Sequence, residues 1–329
     1  MSKNKIKNNT EFFFNLYQRS NKKVIEEILD VELDELLLEK YYLGQKVDVY
    51  TTVRGTTTEV FIESMLNRAD VRHLNFILKL INNIEDNAII IFQAESFSDK
   101  ILEKIIGKIR KFNKTIDFYA IEIDKTLIKE IEDLREIHFL KITEKLCHIE
   151  VSNPFNIVEK YVSIREHKPE EKVEKQKISK VERRNQILIE EIRKRTYYFP
   201  TVFREKRCLD NRILSYSAGK SDVNYFISVE DRNRDSFVSI QFSKDTEEIY
   251  KEIKRNGEIF RNKIGYNVNF DDSSLIIRTD IYSRQHIYKT IDDLAQIFER
   301  FVFYLSNYIF YYGTNMEDSM WNQHKEGTL

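Results

Sequence analysis

Asp48 and Glu63 flank the turn Arg54-Gly55-Thr56-Thr57, in two stretches (Lys46–Val53 and Thr58–Met65) rich in β-branched residues. A glycine-containing turn between such stretches predicts a β-hairpin. Pairing symmetric about Gly55 and Thr56 puts Asp48 opposite Glu63, with their Cβ atoms about 5 Å apart. Two like charges so placed destabilise a sheet unless a cation lies between them. The chemistry open to this pair is to hold a hard divalent cation, Mg2+ or Mn2+, that stabilises the charge built up in phosphodiester cleavage. A solvated pair on an exposed sheet face is the alternative that the pattern leaves open.

The elements that must position the pair follow from periodicity. Phe12–Leu29 has apolar residues at helical spacing, and Val31–Lys40 reads as a second, short helix. Beyond the hairpin, Leu74, Ile77, Leu78 and Ile81 share one helical face. Ala88–Phe92 is a continuous apolar run, as in a strand covered on both sides. Ser98 can cap a helix whose buried face carries Ile101, Leu102, Ile105, Ile106 and Ile109. Ile116–Ile123 reads as a strand, and shorter strands are expected at His138–Ile142 and His148–Val151. This order predicts an α/β domain over residues 1–164, built on a mixed sheet.

A charged segment, Arg165–Arg184, follows, with eight Lys/Arg, five Asp/Glu and Pro169. It reads as a solvated linker or an exposed helix. Residues 185–329 read as an α+β domain for recognition, sensing or dimerisation. Helices are expected at Arg183–Arg195, Thr246–Phe260 and Ile287–Phe310, with strands at Arg212–Ser217, Asn224–Val229, Ser236–Phe242, Tyr266–Phe270 and Ser274–Asp280. The last helix has a wide apolar face (Ile291, Leu294, Ile297, Phe298, Phe301, Val302, Leu305, Ile309) that is buried in its own domain or forms a homodimer contact.

Composition narrows the class without naming a partner. The 53 basic and 54 acidic residues leave a net charge of -1, so no global excess of positive charge advertises nucleic acid. A nuclease needs only a locally basic cleft, so the balance excludes nothing there. Hydrophobic residues at 41% are enough for real cores. No apolar run reaches the roughly 20 residues of a bilayer span. The lysine-rich start, Met1–Thr10, has no apolar segment behind it and is not expected to be a signal peptide. Cys147 and Cys208, the only cysteines, are far apart and suggest a reducing, cytoplasmic setting.

The stretches Glu39–Asp48 and Val60–Leu66, followed by Ala69-Asp70-Val71-Arg72-His73-Leu74, resemble the PD-(D/E)xK, or restriction-endonuclease-like, superfamily. The closer resemblance is to prokaryotic proteins in which this module precedes a C-terminal domain of unknown function, which Asn185–Phe310 also resembles. The resemblance implies a restriction-endonuclease-like core and a Mg2+-dependent (or Mn2+-dependent) endonuclease, with DNA as the expected substrate, RNA left open, and a part in defence against foreign DNA. By the same match Glu39, Asp48 and Glu63 are the metal-site acids, and His73 falls where the family contacts substrate or packs its helix. Met65 departs from the pattern, because it stands where the family has lysine or glutamine and a thioether carries no charge. The symmetric register puts Lys46 opposite Met65, two residues from Asp48, so its ammonium is the expected catalytic substitute. The opposing reading is a fold that has lost cleavage and binds nucleic acid or a protein partner.

Other patterns are less specific. Tyr197, Tyr198, Phe199 and Phe203 interleave with Arg193, Lys194, Arg195, Arg204, Lys206 and Arg207. Such a set can stack bases and hold phosphates, or it can be core. Arg72, His73, Arg195 and Arg204 are therefore candidate nucleic-acid contacts. The six histidines show no zinc-like spacing with the cysteines. Ala218-Gly219-Lys220-Ser221 lacks the first glycine of a phosphate-binding loop.

Overall fold

The computed structural model describes residues 3–312 apart from 86, 113, 138, 164–177, 266 and 283–285. Most of the charged segment Arg165–Arg184 therefore lies outside the described residues. The chain forms two compact units that interleave in sequence. The first comprises Met1–Ile137, Glu144–Lys175 and Phe203–Arg207; the second comprises His138–Thr143, Gln176–Val202 and Cys208–Leu329.

In chain order the first unit holds α1 (Lys3–Ser20), α2 (Lys22–Leu29), β1 (Leu37–Tyr42), β2 (Gln45–Thr52), β3 (Glu59–Arg68), α3 (Val71–Asn83), β4 (Ala88–Ser96), α4 (Asp99–Arg110), β5 (Ile116–Ile123) and α5 (Lys125–Asp133). The short α6 (Ile142–Leu146) and then β6 (Phe155–Tyr161) follow. The six strands lie side by side in sequence order. The sheet is mixed: β3 runs parallel to β4 and β4 to β5, while the β1–β2, β2–β3 and β5–β6 pairs are antiparallel. Phe61, Ile90, Phe92 and Phe118 pack beneath Leu74, Ile77 and Ile81 of α3 and Ile101, Ile105 and Ile109 of α4. Helix α1 packs on the other face of β3, where its Gln18 reaches Ser64.

Two expectations fail over residues 1–164. Val31–Lys40 is not a helix. Asp30 closes α2 in the left-handed conformation (φ 56), and the chain then extends into β1. The apolar residues Leu33, Leu36 and Leu38 are all buried in that extended stretch. Leucines at this spacing suit either period, and pairing with β2 decided for the strand. No strands form at His138–Ile142 or His148–Val151 among the described residues. Phe139–Lys141 is a 3-10 turn leading into α6, and Phe139 stacks on Phe310 and meets Phe199 edge-on inside the second unit. The periodicity reading also missed α5 and the edge strand β6.

The second unit contains α7 (Lys180–Arg195), β7 (Leu214–Ser217), β8 (Val223–Ser228), β9 (Ser236–Phe242), α8 (Glu247–Arg255), α9 (Gly257–Ile264), β10 (Asn269–Asp271), β11 (Ile276–Ile281) and α10 (Ile287–Tyr311). Its five strands form an antiparallel sheet in the order β10-β11-β9-β8-β7. The expected helix Thr246–Phe260 is two helices. They break at Asn256, whose amide turns back onto the Glu252 carbonyl, and Gly257 lies against the Phe270 ring, where a Cβ would come within 3.3 Å. The wide apolar face of α10 is buried against α7, α9, β9 and β11 of the same unit. Among the described residues no helix is long and apolar enough to cross a membrane.

Candidate active site

The β2–β3 hairpin has the symmetric register: Val49 pairs with Ile62, Tyr50 with Phe61, Thr51 with Val60 and Thr52 with Glu59, around a turn with Gly55 at φ 76. The ladder stops one residue short of Asp48 and Glu63. There the Ser64 N–H donates to Asp48 Oδ2 at 2.9 Å, and the Asp48 backbone favours the charged form of the Glu63 carboxyl. The Asp48 carboxylate thus takes a donor that strand pairing would otherwise use. On the other side of β2 the pairing with β1 joins Leu38 to Val49 and Lys40 to Val47, and it skips Glu39 and Asp48. Glu39 itself has a left-handed backbone, φ 53. Glu39, Asp48 and Glu63 therefore occupy one row across three adjacent strands, at the position where both ladders are interrupted.

The interruption leaves the register of β2 in place. Val47 and Tyr50 both join the cluster beneath α3 and α4, although strict alternation would put them on opposite faces. The β1–β2 register is nonetheless the same on both sides of Asp48, and burial alternates along β2 without a break.

The acidic pair is not a solvated one. Glu63 is only 8% exposed and Asp48 is half-buried. Burial pushes the Asp48 carboxyl up to about 6; Glu11 and Glu39 push the same way, and the Ser64 N–H and Lys46 oppose them. Glu63 is held well above the usual carboxylate range by burial first and then by Asp48. Its Oε2 is sealed from solvent with no hydrogen-bond partner in the protein. A buried carboxylate oxygen left without a donor is costly, and a bound cation removes that cost.

The other expected residues are placed differently. Glu39 gives its Oε1 to Lys46 Nζ at 3.1 Å and its Oε2 to Arg204 Nη1 at 3.1 Å, so both its oxygens are held by cations. Lys46 pairs with Tyr41 of β1 and lies beyond the β2–β3 ladder, yet its charge is felt by both Asp48 and Glu63. Met65 packs against the cluster under α3 and α4. Asp70 caps α3 by accepting from the His73 N–H at 2.9 Å, and the His73 ring nitrogen Nδ1 lies 2.8 Å from the same oxygen. The Asp-x-x-His segment is thus a helix cap, with Arg72 exposed beside it. Arg195, in the second unit, is engaged by Glu191, Asp292 and Glu299. Of the interleaved aromatics, Phe199 is fully buried, Tyr197 is exposed, and Phe203 lies under the Arg19 guanidinium.

A polar stripe on α1 escaped the sequence reading. Glu11, Asn15 and Gln18 recur at i, i+4 and i+7 among Phe12, Phe13, Phe14, Leu16 and Tyr17. Asn15 and Gln18 are buried. Gln18 Nε2 donates to Ser64 Oγ at 3.1 Å, and Ser64 Oγ donates to Gln93 Oε1 at 2.9 Å. Ser64 is thereby gripped from both sides while its N–H holds Asp48. Amides interrupting a Phe-rich helical face were the available signal.

Among the described residues no group of three or more His, Cys, Asp or Glu is placed to hold a metal ion. Mg2+ is commonly held by one or two carboxylates, with water and substrate phosphate completing its shell. Asp48 and Glu63, one of them with a partnerless buried oxygen, fit that smaller requirement, whereas Glu39 is already engaged.

No family model matches the chain, and no curated protein matches it. Among solved structures it is similar to Pyrococcus furiosus SfsA in complex with Ca2+, at 14% identity over 32% of this chain. The match spans about half of the SfsA chain, 55%, with a TM-score of 0.21. At that TM-score the likeness carries no argument about residues or activity.

Proposed function

We propose that the first unit is a metal-dependent nuclease of the PD-(D/E)xK type, with DNA as substrate and Asp48 and Glu63 as the metal ligands. The observation that carries this reading is the buried pair itself. Two carboxylates meet where two ladders break, and one sealed oxygen of Glu63 has no donor. Mg2+ or Mn2+ bound there would supply Lewis-acid stabilisation of a phosphodiester under attack. The chain's own residues bind and orient: Asp48 and Glu63 hold the cation, Ser64 fixes Asp48, and the Lys46 ammonium neutralises developing charge beside them. A part in defence against foreign DNA rests on the family resemblance alone.

A second reading has its own observation in favour. Met65 packs against the core and Lys46 is tied to Glu39, so among the described residues no ammonium is ion-paired with the acidic pair. On that reading the fold binds nucleic acid or a protein partner without cutting. Plasmid cleavage with Mg2+ or Mn2+, run beside Asp48→Asn, separates the two. Cleavage by the wild type alone supports the enzyme. Metal uptake and DNA retention without cleavage in the wild type supports the binding protein.

A further inference from the structure

We propose that Arg204 is a positioning residue for Lys46, acting through Glu39. This rests on the reading of Asp48 and Glu63 as the metal-binding pair. The stretch 203–207 belongs to the first unit although the chain on both sides of it belongs to the second. It lies along the free edge of β1: Arg204 bridges to Leu38 in parallel, and the Glu205 N–H donates to the Leu38 carbonyl at 2.8 Å. That pairing fixes the backbone from which Arg204 projects.

The Arg204 guanidinium lies over the Phe12 ring at 4.0 Å and reaches Glu39 Oε2 at 3.1 Å. A flat guanidinium can stack and pair at once, which an ammonium on a flexible stem does less well. Glu39 needs such a clamp. Its left-handed backbone is unfavourable for a residue with a Cβ and persists only where the surroundings impose it. Clamped, Glu39 offers its second oxygen to Lys46 at 3.1 Å. Lys46 is otherwise a half-exposed chain with many rotamers. The series Arg204–Glu39–Lys46 thus fixes an ammonium whose charge reaches both members of the acidic pair.

The test uses the full chain carrying 13Cε/15Nζ-labelled lysine, with the Lys46 resonance assigned through Lys46→Arg. Arg204→Met and Glu39→Gln should each move that resonance, and the double variant should move it no further than the larger single shift. Arg207→Met, which removes a guanidinium stacked on Tyr41 in the same stretch, should leave it in place. Arg204→Lys keeps the charge and should give a smaller shift in the same direction, so the test survives if the methionine variant does not fold. An unmoved Lys46 resonance in a folded Arg204 variant overturns the proposal. In Mn2+-dependent DNA cleavage, Arg204→Met should lower kcat about tenfold with KM within about twofold, the pattern of a lost transition-state contact. A wild type that neither cuts nor takes up Mn2+, with the resonance shifts as expected, would remove the nuclease reading and leave the positioning role standing.

Discussion

Asp48 and Glu63 meet where the β2–β3 ladder ends, and the Asp48 carboxylate takes the N–H of Ser64, the residue next to Glu63. Asp48 is thereby anchored by backbone of the strand opposite, and Glu63 is enclosed by its burial. The fold holds two mutually repelling, poorly hydrated carboxylates in place, an arrangement that is costly until something positive joins it.

The first consequence is a trade between apo stability and metal response. Asp48→Asn removes one charge and keeps a side-chain oxygen for the Ser64 N–H. Without metal at pH 7.5 the variant should unfold at a higher temperature than the wild type, by about 1–3 kcal/mol of relief. Added Mn2+ should raise the melting temperature of the wild type and leave the variant unchanged. Thermal melts of both proteins with and without Mn2+ decide this. A destabilised variant that still responds to Mn2+ would sink the assignment.

The pH dependence has a definite sign. The folded-state value of Asp48, about 6, lies above its ordinary 3.8, so the native state binds the proton more tightly than the unfolded chain. Below about pH 4 this group costs nothing; as pH rises through 6 the cost accumulates and then levels off, at an upper bound of about 3 kcal/mol. Glu63, also held above its ordinary value, adds a loss of the same sign. Denaturant unfolding of the metal-free wild type and Asp48→Asn at several pH values should show the gap between them opening from pH 4 to 6. A gap that stays constant across that range would remove the buried-pair electrostatics.

Ser64 offers a different check, because its hydroxyl and its backbone do separate work. Ser64→Ala keeps the N–H on Asp48 but leaves Gln18 Nε2 and Gln93 Oε1 without the hydroxyl that joins them. Buried amides stripped of a partner cost about 1–3 kcal/mol, so the variant should be destabilised by that amount in denaturant melts. Its Mn2+ response should persist. Loss of metal response with stability intact would show that the hydroxyl, not the N–H, serves the site.

The legible and illegible parts of the molecule divide on a physical line. The hairpin register could be read because Gly55 and the flanking β-branched residues leave few alternative turns, and Ala88–Phe92 announced a covered strand by its unbroken apolar run. The edge strand β1 could not be read, since Leu33, Leu36 and Leu38 satisfy both helical and extended burial until β2 is there to pair with them. The interruption at Asp48 was equally hidden. Nothing in the types of Glu39 or Asp48 reveals a left-handed backbone at one and a missing ladder pair at the other. Arg204 was named as a nucleic-acid contact because the sequence showed its charge but not the carboxylate across the sheet edge.

The position of Met65 gives the last prediction, and it can separate a crippled nuclease from a binding protein. Residue 65 lies two along from Glu63 on β3, where alternation is unbroken and the two side chains leave the same face. Met65 packs its thioether against the cluster under α3 and α4. A lysine there has a comparable apolar stem, which can lie along the same contacts while its ammonium extends toward Glu63. Met65→Lys should therefore fold, with a stability loss of about 1 kcal/mol or less, as for a volume-conserving change at a partly buried position. It should also raise the metal-free melting temperature relative to Met65→Gln, because only lysine brings a cation to the acidic pair. If Lys46 supplies the ammonium in the wild type, Lys46→Ala should lose cleavage and Met65→Lys should restore part of it in that background. Should Met65→Lys gain cleavage over an inactive wild type, the acidic pair is competent and the natural protein lacks only the cation. Should it gain none with either Mg2+ or Mn2+, while Mn2+ still stabilises the fold, the binding reading takes the place of the enzyme.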